Sequence, residues 1–541
     1  MSKRRLSLGL DLSTQSLSAV VLDIDARTRL AEHSLDYARD PRLGGFGIGK
    51  DDYILPPRSD GEADQPPAMY LAALDAMFSD LRQSVPLGDI AVVNTSGQQH
   101  GHVYLNKDAP AVFARLRDEG VERHDLVSLL HGCLAYDRAP IWMTSNTVAQ
   151  ATFIRNAVGG KERLIQLSGS DAQLRFTGIV VRRTAERFPE AYAATRTIHL
   201  ISSFVPVVLA ANPDVPVDFG NACGMSLMDY RLRRWSTPLL QAVAQGFPGG
   251  RQALRRKLPA IVAPDAVVGQ IAPYFVRKYG LRPDCRVAAG SGDNPQSKVL
   301  VSGDLLSLGS SFVNMVSTDG KVRDMNGAAC AMYDGVGRPF MFGCRTNGAL
   351  VWDRVRALYG MGKDDFAPAE AVLQKAPLGR SLILWQPRDE SFPASGSFGP
   401  TRISGDPGLG TDYPGIIESS LAAVYVHSRD FAPRIAAPLY IMGGAASSQG
   451  IVRRVSAIWD RPVVVTGKAG AALGAAVAGV SALHKSEGVR FDGEGFSAAL
   501  VRRSEVIKPL PEDVAAFHRH GGYLDRFVEA EARLLREHPL A

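Results

Sequence analysis

Apolar positions open the chain in two short runs. Leu6–Leu12 reads LSLGLDL and Leu17–Asp25 reads LSAVVLDID, and the Ser-Thr-Gln-Ser segment between them predicts a β-hairpin. A later stretch, LLSLGSSFVNMVSTD over Leu305–Asp319, repeats the arrangement: an L-S-L-G run, a short hydroxyl-rich turn and another β-rich run. The repetition predicts two related halves, the alternative being chance similarity of two short strand pairs. Helical spacing marks Met69–Arg82, Val148–Asn156 and Arg182–Arg187, and the apolar pattern continues over Ile198–Ala210 and Leu239–Gln245. Asp89–Thr95 is a strand. Phe247-Pro-Gly-Gly and the basic RQALRRK that follows predict a surface connection. The second half adds strands at Leu439–Met442 and Val463–Thr466, helices at Gly450–Trp459 and Gly470–Leu483, and a charged amphipathic helix over Pro511–Glu537. Alternating strands and helices predict an α/β fold with mostly parallel sheets.

Composition narrows the class only slightly. A chain of 541 residues with 45% hydrophobic and 21% charged positions can bury several domains or two large ones. Its net charge of +6 is spread among nearly equal numbers of acids and bases. It therefore predicts a solvated basic surface, suited to an anionic substrate, and not a nucleic-acid interface. Five scattered cysteines without a CxxC pair exclude a secreted disulfide framework and favour a reducing cytoplasm. The basic MSKRR start resembles a signal n-region, but Asp11 interrupts the following apolar stretch. No apolar run reaches the ~20 residues of a membrane span, so a soluble protein without a membrane partner is expected. A homodimer is compatible with the sequence.

Three glycine-rich turns carry candidate chemistry: GSGDN (Gly290–Asn294), SLGSS (Ser307–Ser311) and MGGAASSQG (Met442–Gly450), each after a β-like run. Glycine lets backbone amides approach an anion, and a following helix N-terminus adds free N–H donors. Together with the polar turn near the N-terminus they predict a polyphosphate held between two halves. The GxxxxGK[ST] loop, a strand–GxGxxG–helix unit and the HRD…DFG set are all missing from the sequence, which excludes three commoner nucleotide sites. Phosphoryl transfer needs charge neutralisation, phosphate donors and an acceptor for the substrate proton. Asp11 can hold Mg2+ or its waters, with Ser13, Thr14 and Gln15 donating to phosphate oxygens, and Asp293 can take the proton of an alcohol. An Asx-turn or a cap is the competing role for each of these acids. TSGQQHGHVY (Thr95–Tyr104) alternates His100 and His102 on one expected strand face. A metal site there lacks further ligands at the right spacing; a hydrogen-bonded strand end or a polyol-binding rim, with Trp142 as its apolar wall, fits better.

The set LGLDLSTQSLSAVV, SGQQHG, APIWM-x-S, RFTG, GMSLMDY, GSGDNP, SLGSS and MGGA, in order from Leu6 to Gly479, resembles the FGGY carbohydrate kinases, within them most closely the eukaryote-like xylulose kinase branch. That resemblance implies two ribonuclease-H-like domains of the actin-like ATPase architecture, residues 1–290 binding sugar and 291–541 binding ATP, with the active site in the cleft. It implies ATP-dependent phosphorylation of D-xylulose at its terminal 5-hydroxyl. It implies Asp293 as catalytic base, Asp11 as the acid near Mg2+, and Gln99, His100, Trp142, Thr144, Asp171 and Asn294 at the sugar. Gly309, Ser310 and Ser311 match the second phosphate loop, and Gly443, Gly444 and Ser448 the adenosine loop.

Four positions depart from the family pattern. Thr144 stands where Asp is usual, Asp171 where an Arg is expected, Ser448 for an Asn, and Asn221 for an acid before GMSLMDY. An unpaired buried polar group costs ~1–3 kcal/mol, so the changes at 144 and 171 can redirect sugar choice. Alternatively both lie outside contact and drifted together. The rivals to a D-xylulose kinase are therefore a kinase for ribulose or an alditol, and a catalytically weak sugar or nucleotide sensor on the same fold.

Overall fold

Alternation in LSLGLDL has a direct structural consequence. On strand β1 (Leu6–Leu12), Leu6, Leu8, Leu10 and Leu12 are fully buried and join a core that includes Met69, Leu74 and Phe78 of helix Pro67–Ser84. The intervening positions Ser7, Gly9 and Asp11 form the opposite face. Ser7 donates its hydroxyl to the Ala476 carbonyl at 2.7 Å, and a Cβ on Gly9 would stand 2.0 Å from the Ala472 oxygen. Helix Ala471–Ser486 thus rests directly on the small-residue face, leaving Asp11 towards its N-terminal end.

The computed structural model describes residues 4–362, 364–432, 437–467 and 470–540, so the first three residues of MSKRR lie outside it. Two compact units emerge. The first comprises residues 4–300, 331–339 and 470–500; the second comprises most of 301–330, 340–467 and 501–540. A single cut at 290 differs from this partition, because the chain returns to the first unit to add helix Ala471–Ser486.

Within the first unit, β1 pairs antiparallel with β2 (Ser16–Asp23), which pairs antiparallel with β3 (Thr28–Asp36). On its other side β1 runs parallel to β4 (Ile90–Gly97), beyond which lie β5 (Val267–Gln270) at the edge and β6 (Arg286–Ala288), giving the order β5-β6-β4-β1-β2-β3. In the second unit, β7 (Leu305–Leu308), β8 (Phe312–Ser317), β9 (Pro339–Arg345), β10 (Leu439–Met442) and β11 (Val463–Val465) follow the order β9-β8-β7-β10-β11. Its pairings are antiparallel, antiparallel, parallel, parallel, as along β3-β2-β1-β4-β6. The sequence repetition is a repeat of topology, but its register differs. The L-S-L-G match sets Gly9 against Gly309, whereas the hairpins close at Leu12–Leu17 and Leu308–Phe312, making Leu308 the counterpart of Leu12.

Other expectations change. Both sheets are mixed instead of mostly parallel, because each contains three neighbouring antiparallel strands. RQALRRK is helical (Gly250–Lys257), anchored by buried Leu254. Ile198–Ala210 splits into strand Thr195–Leu200 and helix Ile201–Ala210. The C-terminal helix is two helices, Pro511–His518 and Tyr523–Glu537, broken where Gly521 takes φ +66°. No helix among the described residues is long and apolar enough to cross a membrane.

Candidate active site

Asp11 and Asp293 reach the same end of the first unit's sheet by different routes. Asp11 is the last small-face residue of β1 and lies beside Ser96 of β4 in register. Its Oδ1 and the Ser96 hydroxyl are both shielded from solvent, and neither makes a hydrogen bond of full geometry among the described residues. Burial pushes the Asp11 carboxyl up to about 6, with the Ser96 hydroxyl drawing it partway back. Asp293 follows the GSG turn and opens helix Asp293–Lys298. That turn is possible because Gly290 takes φ +76°, where a Cβ would sit 2.3 Å from the Thr95 hydroxyl and 2.5 Å from the Ser202 carbonyl. Burial, and then the charge of Asp11, raises Asp293 to about 7, while the Asn294 backbone N–H, at 2.8 Å, opposes the rise.

Around Asp293 the polar side chains are fixed in complementary roles. Asn294 donates from Nδ2 to Gln99 Oε1 at 2.9 Å, which leaves the buried Gln99 Nε2 as an unpartnered donor. His100 adopts φ +69°, so it does not share a strand face with His102: β4 ends at Gly97 and the next strand begins at His102. His100 Nδ1 lies 2.9 Å from the Gly224 carbonyl, and its ring packs tilted against Phe176 with the centroids 4.6 Å apart. Facing a carbonyl, Nδ1 must carry the proton, and burial lowers the imidazole to about 3. The ring is therefore neutral, with Nε2 a lone-pair acceptor. His102 is committed elsewhere, between the His100 carbonyl and the Tyr104 hydroxyl.

Trp142 stands 45% exposed, its indole N–H donating to the Thr14 hydroxyl at 2.9 Å; that hydroxyl in turn donates to buried Gln98. Ser13 donates to the Ser16 carbonyl. The Ser13 and Thr14 hydroxyls thus hold the turn, while Gln15 is exposed. The two departures facing the sugar question are both engaged. Thr144 is buried and donates to the Ala63 carbonyl at 3.0 Å; Asp171 receives Arg155 through two hydrogen bonds of 3.0 and 3.2 Å. Asn221 donates to the Ser202 hydroxyl at 2.7 Å beneath the GSGD turn.

In the second unit, Gly309 and Ser310 of the β7–β8 turn border a cavity of about 690 Å3. Trp352, Phe366 and Tyr413 give it aromatic walls, and Gly444 and Ser448 line its far side. Gly443 sits at φ +102° just after β10, Ser310 is exposed and Ser311 half-buried. Ser448 caps helix Gln449–Trp459, accepting from the Ile451 N–H at 3.1 Å, and donates to Glu370. None of Trp352, Phe366, Glu370 or Tyr413 carries a local sequence signal, since they come from segments far apart in the chain. No group of three or more His, Cys, Asp or Glu able to hold a metal occurs among the described residues.

Duplicated ribonuclease-H-like units, one presenting paired carboxylates beside amides and an imidazole, the other a nucleoside-sized aromatic cavity, define a phosphotransferase of the actin-like ATPase fold. Comparison with known proteins makes the class specific. Residues 135–299 match the N-terminal domain of the FGGY family of carbohydrate kinases. The xylulose kinase of Schizosaccharomyces pombe is 30% identical over 83% of this chain and 84% of its own, and that of Rattus norvegicus 28% over 98% and 97%. A gluconate kinase structure from Lactobacillus acidophilus superposes with a TM-score of 0.79 at 17% identity, covering 98% of both chains. The chain belongs to the FGGY family of carbohydrate kinases.

Proposed function

We propose that this kinase transfers the γ-phosphoryl group of ATP to the terminal hydroxyl of a ketopentose, D-xylulose first among them. The single observation that carries the proposal is Asp293: a carboxylate raised to about 7, at the head of a helix, with unpartnered polar groups beside it. A base of that pKa is ionised in half its copies near neutrality yet basic enough to accept an alcohol proton as the new O–P bond forms and ADP leaves. Gln99 Nε2 donates to a sugar oxygen, His100 Nε2 accepts from a sugar hydroxyl, Asn294 holds the base, and Trp142 offers an apolar face. The Gly309–Ser311 turn and the backbone of Ser13–Gln15 serve the phosphates, and the cavity bordered by Gly444 and Ser448 takes the nucleoside.

A magnesium ion fits Asp11. Its shielded Oδ1 makes no hydrogen bond of full geometry, and Mg2+ is commonly held by one or two carboxylates together with substrate phosphates and water. Bound there, the ion would neutralise phosphate charge. Because Thr144 and Asp171 are tied to Ala63 and Arg155, we assign them support of the sugar pocket, which favours the sugar named for the S. pombe and R. norvegicus relatives. Five cysteines, none joined in a disulfide, suit a reducing compartment such as the cytoplasm. The test is sugar-stimulated ADP formation across ketoses, aldoses and polyols, with Asp293→Asn as blank. D-xylulose should lead. A different leading sugar would return Thr144 and Asp171 to the pocket, and no turnover with any sugar would replace the kinase with a sensor.

A further inference from the structure

At the other end of the first unit's sheet lies a cavity of about 530 Å3. Three arginines line it, each from a different element: Arg117 from the turn Arg115–Arg117, Arg277 from helix Pro273–Tyr279, and Arg286 from the start of β6. The amides Asn212 and Gln270 join them, and the lining contains no carboxylate. Two of the guanidiniums are held in place. Arg117 donates to the Ala210 and Ala211 carbonyls at 3.1 and 3.3 Å, and Arg277 donates to Glu122 at 3.1 Å and to the Asp118 carbonyl. Arg286, half-buried and paired in register with Gln270, has no ion-pair partner among the described residues.

Three converging cations with one acid among their partners leave net positive charge at the cavity, which an anion would relieve. The planar guanidinium fork matches phosphate oxygens in pairs, and arginines already positioned lose little freedom on binding. The volume falls within the range of small-molecule sites and exceeds what a bare oxyanion needs. We propose that this cavity is a second binding site, for a small phosphorylated metabolite of the sugar phosphate class. It is separate from the active site: along β4, Arg286 lies beside Val92 and Asp11 beside Ser96, four strand residues or about 13 Å apart. The chain nonetheless runs directly from Arg286 through β6 and the Gly290 turn to Asp293, so the two sites share one continuous segment.

Equilibrium binding of radiolabelled ribose 5-phosphate to the full chain tests this, using the component that saturating ADP and D-xylulose do not displace. Wild type and Asp293→Asn should bind one equivalent alike. Arg286→Gln and, independently, Arg117→Ala should weaken that component at least tenfold while leaving turnover without ribose 5-phosphate unchanged, which also reports that both variants fold. Equal binding by wild type and both variants, or no undisplaced component at all, would overturn the site. Inorganic phosphate competing as strongly as ribose 5-phosphate would overturn its assignment to an organic phosphate.

Discussion

The two units place different chemistry on the same scaffold. At the ends of their first strands, one carries Asp11, followed by the turn Ser13–Ser16; the other carries Ser307 at the position equivalent to Asp11, followed by the turn Gly309–Ser311. After the equivalent strands β6 and β11, one carries the GSGD turn with Asp293, while the other continues into Thr466 and Gly467. Both carboxylates therefore belong to the first unit, and the small, uncharged Gly309–Ser311 turn to the second. The difference is the one that the proposed roles require. A carboxylate near a polyphosphate is repelled unless a cation intervenes, whereas glycine and serine expose backbone N–H groups to it. A hydroxyl to be deprotonated needs the reverse, a basic carboxylate poised near neutral pH.

If labour is divided in this way, Asp293→Asn gives the largest effect: kcat should fall by about 10^3-fold with the nucleotide KM little changed, because general-base groups contribute ~10^2–10^4. Wild-type activity should also decline as pH drops below about 7, where Asp293 takes up a proton. The same carboxylate has an opposite effect on stability. Its pKa rises on folding from the ordinary 3.8 to about 7, so the folded state binds more protons than the unfolded. The stability it favours is full below pH 3.8 and is lost as pH rises through 7. Asp293→Asn should therefore melt above wild type at pH 8, and the gap should shrink towards pH 5. A melting-point difference that is flat between those pH values would show that Asp293 is not buried as a strained base.

Asp11→Asn comes next. It keeps the shape and removes the charge proposed to face a cation, so kcat should fall by about 10^2-fold, with a raised magnesium requirement measurable by titrating the metal at fixed ATP. Loss of activity without any change in that titration would move Asp11 from the metal to an electrostatic role beside Asp293.

Much of this arrangement is legible in the sequence because it is local. The alternation in LSLGLDL, the two hydroxyl-rich turns and the GSGDN loop specify the hairpins and the strand-end positions of Asp11 and Asp293. What fails is whatever depends on distant neighbours. His100 reads as a strand residue, but contacts with Phe176 and Gly224 hold it at positive φ, off the strand. Thr144 and Asp171 read equally as altered sugar ligands or as positions outside contact, and their hydrogen-bond partners Ala63 and Arg155 are not marked by the sequence around the two departures. Trp352, Glu370 and Tyr413 meet only through packing. The L-S-L-G repetition is informative about topology yet out of register, since apolar alternation fixes a strand's face and not its position along the sheet.

Gly9 marks a third difference between the halves. Hairpin register makes Leu305 its counterpart, a buried core residue, whereas Gly9 must admit the backbone of Ala472 and Ala476. Gly9→Ala should destabilise the protein by about 3 kcal/mol through overpacking against backbone that cannot yield, and Leu305→Ala by about 3 kcal/mol through a cavity. Similar costs of opposite origin separate on rescue. A compensating reduction is impossible beside Gly9, while Leu305→Met should recover most of the loss in urea unfolding.

The smallest expected effect is the most discriminating. Ser307 sits at the strand-end position that in the first unit is Asp11, half-buried and next to the turn that borders the second unit's aromatic cavity. If topology alone conferred function, replacing it would resemble replacing Asp11. If chemistry resides in the carboxylates of one unit and in the backbone of the other's turn, the Ser307 hydroxyl contributes at most one neutral hydrogen bond, about 1 kcal/mol. Ser307→Ala should then change kcat/KM for the sugar by less than threefold and raise the ATP KM by no more than about fivefold, the equivalent of that one bond. A loss approaching that of Asp11→Asn, measured in the same assay, would show that the two units share the chemistry instead of dividing it.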